Sequence, residues 1–222
     1  MFEWLASQAP GRLRAWDAAT GNGQAAVALA DHFERVVATD ASAEQIEHAT
    51  RREGVTYRVE RSEQCTLPDA SCQLVTVAQA MHWLDAPAFM AQAKRVLEPG
   101  GLLAVWSYVV PALDDSRGDA LVRAFTMRVG PYWPPERQTA ENGYRSVAFP
   151  FQEIAAPRFE MTLPVTRASL AGYLRTWSAT RRFVETKGED PVLDVEGQLD
   201  WPADATHRLT WELHIRAGRN TP

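Results

Sequence analysis

Two glycines near the start of the chain have the residue type and spacing of a turn that binds a ligand. Gly21 and Gly23 lie in the segment WDAATGNGQA, between an apolar run and the first residues of a predicted helix. Glycine suits such a turn because it has no Cβ, so its backbone adopts positive φ and approaches a ligand closely. The helix that begins near Gln24 presents free N–H groups and the positive end of its dipole to an anionic group. We therefore expect a binding site at this strand-to-helix turn.

An aspartate extends this site toward a nucleoside. Asp40 follows Gly23 by 17 residues and stands at the end of the second predicted strand. In a doubly wound sheet, a carboxylate at that position accepts hydrogen bonds from ribose hydroxyls. Two other interpretations fit the same residues. The first is a tight turn with an aspartate that only caps the next helix, and the second is a dinucleotide site, because residues 21–26 also match G-x-G-x-x-A.

The first half of the chain alternates short apolar segments with amphipathic ones, which is typical of a parallel sheet with helices on both faces. The predicted strands cover residues 13–18, 35–39, 55–59, 74–78 and 102–106. The predicted helices cover residues 2–8, 24–33 and 42–52, and a fourth helix, capped by Asp85, runs to Gly100-Gly101. Ser42 and Gln45 fit a capping box for the third helix.

The second half of the chain has a different pattern. Helices are predicted over residues 115–129, 166–177 and 179–187, and the proline-rich stretch 130–136 is predicted to be irregular. Apolar and polar residues alternate over 159–163 and 209–215, which indicates two further strands.

The composition excludes several classes of partner. Across 222 residues the formal net charge is −5, and no basic run supplies the clustered cations that bind nucleic acid. Cys65 and Cys72 lie in one polar stretch without a pair of histidines nearby, so neither a disulfide framework nor a metal site is predicted. No apolar run reaches the roughly 18 residues of a membrane span, and the N-terminus lacks the pattern of a secretion signal. We expect a cytoplasmic protein without nucleic-acid or membrane partners, and the sequence leaves its oligomeric state open.

Five motifs between residues 17 and 106 together resemble those of the class I S-adenosylmethionine-dependent methyltransferases. They are DAATGNG (17–23), VVATD (36–40), SEQCTLP (62–68), LVTVAQAMHWLD (74–85) and RVLEPGGLLAVW (95–106). The likeness is to the small-molecule branch that includes trans-aconitate methyltransferase, and it extends to residues 170–187 and to the final WELHIRAGR. Dinucleotide-binding enzymes do not show the last three motifs together, so the resemblance favours a methyltransferase over a dinucleotide-binding oxidoreductase.

The resemblance implies a fold, a cofactor and a class of acceptor. The fold is α/β, a Rossmann-like, doubly wound, mostly parallel sheet of seven strands with an antiparallel last strand and a helical cap in the second half. Residues 1–108 would form the core that binds S-adenosylmethionine. Residues 109–222 would supply acceptor-binding cap helices and the last strands of the same sheet, all within a single domain. The acceptor would be a small molecule, such as a carboxylate or another oxygen nucleophile.

The same resemblance assigns a set of residues to the cofactor. They are Asp17, Ala19, Gly21, Gly23, Asp40, Ala41, Ser62, Glu63, Ala78 and Gln79. In the family, the first aspartate orients the turn, and the glycines pass close to the methionine part of the cofactor. The second aspartate binds the ribose, the pair at 62 and 63 flanks the adenine, and the pair at 78 and 79 faces the methionine end.

The sequence departs from the family in three places. Ala19 replaces the usual first glycine of the turn, so this residue must keep φ negative or carry slight strain. Gln73 stands where an acid is common. The chain opens with MFEWLA, directly at the first helix, so we expect the family's N-terminal lid segment to be missing. The first two departures leave open a cofactor-binding domain that has lost its activity.

The groups that could contact an acceptor are less well defined. His82 is the candidate catalytic base, because it lies where ligands bind in this fold, although a packed histidine explains it equally well. A carboxylate acceptor needs no base, whereas a phenol or an amine uses one. Trp83 and Trp106, with Trp133 and Trp177, are candidates to line an acceptor pocket or to fill the core. Arg181, with its neighbours Arg175 and Arg182, either pairs with an acidic acceptor or forms a solvated helix face.

Overall fold

The computed structural model of the protein describes residues 1–202 and 204–221, which form two structural units. The first unit comprises Met1–Ser107, Thr139–Arg158 and His214–Pro222, and the second comprises Tyr108–Gln138 and Phe159–Leu213. The chain therefore leaves the first unit after Ser107 and returns to it twice.

Helices and strands alternate through the first half of the chain, as the sequence predicts. The elements are α1 (Phe2–Gln8), β1 (Arg14–Ala18), α2 (Gln24–Leu29), β2 (Arg35–Asp40), α3 (Ala43–Glu47), β3 (Val55–Val59), β4 (Cys72–Ala78), α4 (Ala86–Val96) and β5 (Leu97–Tyr108). They are followed by β6 (Ala112–Leu113), α5 (Ser116–Val129), α6 (Arg137–Glu141), β7 (Gln152–Ile154), β8 (Phe159–Val165), α7 (Arg167–Thr176), α8 (Ser178–Lys187), α9 (Val192–Gln198) and β9 (His207–Arg219). Short 3-10 turns cover Ser62–Gln64, Met81–Trp83 and Gly130–Tyr132.

The strands confirm the predicted α/β fold, a Rossmann-like and mostly parallel sheet with an antiparallel last strand. The parallel strands follow the order β3-β2-β1-β4-β5, and β9 lies next to β5. β7 pairs antiparallel with residues 217–219 of β9, and β6 and β8 pair antiparallel with residues 207–213. The predicted number of seven strands is too low, because the described residues contain nine strands. The two additional strands, β6 and β7, are too short to show a periodic pattern in the sequence.

The parallel sheet of the first unit is covered on both faces, because successive side chains of a strand point to opposite sides. On one face, α1 and α2 pack against the strands through Leu5, Ala26 and Leu29. On the other face, α4 buries the predicted residues Phe89, Ala93 and Val96 against Trp16, Val75 and Val77, and the predicted Leu97, now the first residue of β5, is buried in the same core. The carboxyl ends of the parallel strands are left free of these helices, and the turns that follow the strands meet there.

The second unit is built mainly from helices. Helices α5, α7, α8 and α9 surround a core that includes Phe125, Leu170, Leu174, Trp177, Phe183 and Val192. Thr166 caps α7 as predicted and forms a capping box with Ser169. None of the helices in the described residues has the length and apolar composition needed to cross a bilayer.

The fourth helix ends earlier than predicted. α4 stops at Val96 and β5 begins directly with Leu97, so Gly100 and Gly101 lie inside a strand instead of ending a helix. Gly100 has a φ of +80°, and the pairing of β4 with β5 shifts register between Cys72 and Leu74. An extra stretch of one strand with a left-handed glycine forms a bulge, which explains why the sequence pattern resembled a helix end.

Candidate functional site

The first unit contains a cleft of about 530 Å³ at the carboxyl ends of its parallel strands. The turns that follow β1, β2, β3 and β4 supply its walls. Its lining residues are Ala19, Thr20, Gly21, Asp40, Ala41, Gln45, Arg61, Ser62, Glu63, Ala78, Gln79, Ala80, Trp83 and Leu84. In open α/β sheets, ligands bind outside the carboxyl ends of the strands, so this cleft has the expected position of a cofactor site.

Most residues that the sequence assigned to the cofactor are brought together here. Those that line the cleft are Ala19, Gly21, Asp40, Ala41, Ser62, Glu63, Ala78 and Gln79. Asp17 and Gly23 are buried and are not among the lining residues. Sequence reasoning missed Thr20, Gln45, Arg61, Ala80 and Leu84. Most of these are neighbours of motif residues, and only the folded turns decide which side chains face the cleft.

Asp17 does not line the cleft itself, but it holds the lining residue Thr20 in place. Its side chain is fully buried and accepts hydrogen bonds from Thr20 Oγ1 at 2.5 Å and from Thr76 Oγ1 at 2.7 Å. Burial raises the pKa of this carboxyl to about 6, because desolvation outweighs the opposing effect of the two threonine hydroxyls. The carboxyl thus joins the turn after β1 to the neighbouring strand β4, and its role in orienting that turn for a cofactor stays a prediction.

The backbone beside the cleft adopts a left-handed conformation at two residues that are not glycine. Ala19 has a φ of +52° and Gln79 has a φ of +53°, and both residues line the cleft. Of the two conformations expected for Ala19, the structure has the strained one. Strained backbone of this kind persists only where the surrounding structure holds it, and it is concentrated at ligand sites.

Gly23 is required by a neighbouring side chain. Its φ is +87°, and a Cβ at this position would lie 2.3 Å from the Tyr57 hydroxyl oxygen. The hydroxyl of Tyr57 in turn donates a hydrogen bond to the carbonyl oxygen of Thr50 at 2.7 Å, which limits how far the ring can move. The close approach at Gly23 is therefore made by Tyr57, whereas Gly21 lies on the cleft wall.

Asp40 links the first two turns of the site. Its Oδ2 accepts a hydrogen bond from the Gly21 N–H at 2.8 Å, and its Oδ1 accepts one from the Ser42 N–H at 2.9 Å. The side-chain cap of α3 is Ser42, whose hydroxyl accepts from the Gln45 N–H, so Asp40 does not act as that cap. The predicted capping box is half formed, because Asp40 takes the Ser42 N–H that Gln45 would have bonded. An ionised carboxylate has further lone pairs to offer, and those of Asp40 remain available at the cleft wall.

The 3-10 turn after β3 forms another wall. Ser62 is buried there, and Glu63 Oε1 accepts a hydrogen bond from the Asp85 N–H at 3.1 Å. Arg61 Nε lies 3.5 Å from Glu63 Oε2. The Glu63 side chain is therefore held in place by the residue that caps α4, and it stands beside a cation.

The candidate acceptor residues have different surroundings. His82 Nδ1 lies 3.2 Å from the hydroxyl oxygen of Tyr144. Trp83 is 61% exposed and lines the cleft, so its ring is accessible. Trp106 is buried in the core that α1 covers, with its ring 6.0 Å from that of Phe2, and it does not line the cleft.

The remaining candidates lie in the second unit. Arg181 is exposed on α8, and Trp133 packs against Trp177 with a ring separation of 5.4 Å. Arg175 forms ion pairs with Asp190 at 2.8 Å and with Glu196 at 2.5 Å. The guanidinium of Arg175 is thus already paired within its own unit.

Gln73 has a structural role that its position in the sequence did not reveal. Its Oε1 accepts a hydrogen bond from the Arg14 N–H at 2.7 Å, and its Nε2 donates one to Glu98 Oε2 at 2.6 Å. A carboxylate here would face Glu98, and the amide replaces that repulsion with a hydrogen bond. The position at which an acid is common in the family therefore makes contacts within the sheet here. Gln73 does not line the cleft.

Comparison with known proteins identifies the family. Residues 16–105 match the methyltransferase domain family. The chain is 30% identical over 186 residues to a candidate methyltransferase of Dictyostelium discoideum, covering 82% of this chain and 71% of that protein. It is 32% identical over 158 residues to a methyltransferase of Aspergillus candidus, of which it covers 49%. The solved structure of a candidate type II methyltransferase from Anaeromyxobacter dehalogenans is 40% identical and superposes with a TM-score of 0.94, covering 100% of this chain and 95% of that one.

These matches define the class of protein. The fold is that of class I methyltransferases, and the chain belongs to the methyltransferase domain family.

The buried Asp17 predicts a specific dependence of stability on pH. Because its folded pKa is about 6 and its ordinary value is 3.8, the folded protein holds this proton more tightly than the unfolded chain does. Stability from this group is therefore fully present below pH 3.8, falls as the pH rises, and is lost above about pH 6. Asp17→Asn should remove this loss, which is on the order of 2–3 kcal/mol. Urea denaturation from pH 4.5 to 7.5 should show wild type losing stability relative to the variant, and parallel curves would contradict the assignment.

Gly23→Ala should destabilise the protein more than an alanine at an open left-handed glycine. Gly100 provides the matched control, because its φ is +80° and a Cβ there would meet no atom within 4 Å. Gly100→Ala adds only backbone strain of about 1–2 kcal/mol, whereas Gly23→Ala adds a clash with Tyr57 of about 1–3 kcal/mol. The free energy of unfolding of both variants measures the difference. Equal losses would show that Tyr57 moves aside freely.

Proposed function

We propose that the cleft of the first unit binds S-adenosylmethionine and that the protein transfers its methyl group to a small-molecule acceptor. The observation that best supports this proposal is the cleft of about 530 Å³ at the turns after the parallel strands. Its lining residues include Gly21, Asp40, Ser62, Glu63 and Gln79. This volume lies within the roughly 300–1,000 Å³ of typical small-molecule sites.

The residues of the cleft fit the chemical parts of this cofactor. The spare lone pairs of the Asp40 carboxylate suit ribose hydroxyls, which are donors. Ser62 and Glu63 on the neighbouring wall suit the adenine, and Ala19, Ala78 and Gln79 on the walls after β1 and β4 suit the methionine part. The positive end of α2 is close to the turn at Gly21 and favours the cofactor's carboxylate.

The protein contributes mainly alignment and the exclusion of water. When bound, S-adenosylmethionine supplies a methyl group on a sulfonium whose sulfide leaves without acid catalysis. The chain must therefore hold the acceptor in line with the methyl group and keep water out. A carboxylate acceptor is already ionised at neutral pH, so no proton has to be removed from it. For a less acidic acceptor, His82 is the group we assign as base, with its Nδ1 beside the Tyr144 hydroxyl.

We further propose that two parts of the chain have separate roles. Residues 1–108 carry cofactor binding, and residues 109–222 carry the specificity for the acceptor. Trp83, whose ring is exposed in the cleft, is the residue of the first part that we assign to the acceptor. Arg181 in the second part is the cation that we assign to an acidic acceptor.

Titration with cofactors tests the proposed binding. Calorimetry should show saturable binding of S-adenosylmethionine and S-adenosylhomocysteine and no binding of NADH. Binding of NADH without either of the other two would instead support the dinucleotide-binding oxidoreductase. A screen of small acids and phenols, with detection of the homocysteine product, should then show turnover. Cofactor binding without turnover of any acceptor would favour a domain that has lost its activity.

Asp40 provides the sharpest test of the site. Asp40→Ala should weaken the binding of S-adenosylhomocysteine by about 1–3 kcal/mol, the range for a lost charge-assisted hydrogen bond. Glu47→Ala is the matched control, because Glu47 is an exposed acid on the adjacent α3 and does not line the cleft. Since Asp40 also holds the Gly21 and Ser42 N–H groups, both variants are checked for folding by circular dichroism. A folded Asp40→Ala protein with wild-type affinity would remove Asp40 from the cofactor site.

A further inference from the structure

A second cleft of the first unit, of about 580 Å³, is lined by three arginines. Arg14, Arg35 and Arg58 come from β1, β2 and β3, one from each strand. This arginine cleft shares no lining residue with the cleft at the carboxyl ends of the strands. A ligand in the arginine cleft would therefore not contact the residues that line the first cleft.

The strand register brings the three arginines to one face of the sheet. Arg14 of β1 is the register partner of Arg35 of β2, and Arg58 of β3 is the register partner of Thr39 of β2. Because side chains alternate along a strand, Arg35 and Thr39 point to the same side, and so do their partners. The chain between β3 and β4 contains only a short 3-10 turn, at Ser62–Gln64, so Arg35 and Arg58 stay exposed.

These guanidiniums have no carboxylate partner in the part of the chain that the structure describes. Arg14 donates to the carbonyl oxygen of Ser71 at 3.4 Å, and Arg58 donates to Thr66 Oγ1 at 3.4 Å. The side chain of Arg35 has no hydrogen-bond or ion-pair partner among the described residues. Glu60, two residues after Arg58, already accepts a hydrogen bond from the Thr66 N–H. Like charges on directly paired residues of adjacent strands repel, and a bound anion would relieve that repulsion.

We propose that the arginine cleft binds the phosphoryl group of a small phosphorylated molecule. Guanidiniums from separate strands can each bond a different oxygen of a tetrahedral phosphoryl group, whereas the two oxygens of a carboxylate are satisfied by a single arginine. The cleft is larger than a phosphate ion, and the half-buried Val55 and the exposed Pro68 supply apolar surface for an organic part. Three cations in a protein of net charge −5 are too few for a nucleic-acid backbone.

Pyrophosphate is the probe that tests this site, with sodium chloride at matched ionic strength as the reference. Thermal shift and calorimetry on the full chain should show saturable binding of pyrophosphate. Arg35→Gln should weaken that binding by about tenfold or more, the loss expected for one charged donor. Arg35→Lys keeps the charge but loses the planar set of N–H donors. Its affinity for pyrophosphate should lie between those of wild type and Arg35→Gln. Arg123→Gln is the matched control, because Arg123 is an exposed arginine on α5 of the second unit with no role in either cleft, and it should leave the affinity unchanged.

Further arms of the experiment separate this site from other sources of binding. Protein saturated with S-adenosylhomocysteine should bind pyrophosphate with unchanged affinity, and competition between the two would place pyrophosphate in the first cleft and overturn the proposal. Citrate that binds as tightly as pyrophosphate would overturn the preference for a phosphoryl group. Absence of saturable binding, or equal affinity in wild type and Arg35→Gln, would overturn the site itself. The titrations of pyrophosphate into wild type and the Arg35 variants use no methyl donor, so their outcome is independent of the proposed function.

Discussion

The buried carboxylate of Asp17 is the interaction on which the shape of the site depends. It accepts hydrogen bonds from Thr20 in the turn after β1 and from Thr76 in β4. Thr20 in turn donates its N–H to the carbonyl oxygen of Thr39 in β2 at 2.9 Å, which connects the same turn to a third strand. The buried carboxyl and the turn that it holds therefore connect the ends of three strands, and burial at this position raises the pKa of Asp17.

Two residues of the site have a strained backbone conformation, and contacts within the first unit keep them in it. Ala19 and Gln79 are left-handed, and each is fixed on both sides by a regular strand or by backbone hydrogen bonds such as that from the Gln79 N–H to the Trp106 carbonyl oxygen. Asp40 adds a second restraint by bonding the N–H of Gly21. These contacts restrain the turns of the cleft, which reduces the conformational entropy that binding of a ligand would cost.

The local residue pattern was sufficient to predict most of the helices and strands. Strands β1 to β5 and helices α1, α5, α7 and α8 have the types and approximate bounds that their periodicity and caps predict, because burial of one face is recorded directly in the residue pattern. The sequence analysis did not predict β6, β7 and α6, because elements of two, three and five residues have too few positions to show a period. It also did not predict the seven-residue α9. The prediction that Gly100-Gly101 ends a helix was wrong. A left-handed glycine is typical both of a helix end and of a β-bulge, so the residue type does not distinguish the two.

The sequence by itself determined the class of protein and the set of turns that meet at the cleft, because these depend on motifs that are each local to one strand end. Only the tertiary structure decided which residues face the cleft and which stand behind it. Gly23 faces Tyr57, which lies two strands away in the sheet, Gln73 meets Glu98, and Arg14 stands beside Arg35. Each of these contacts joins residues that are distant in the sequence, and the pairing register of the strands sets it. That register follows from the packing of the whole sheet against its helices, and no single segment records it.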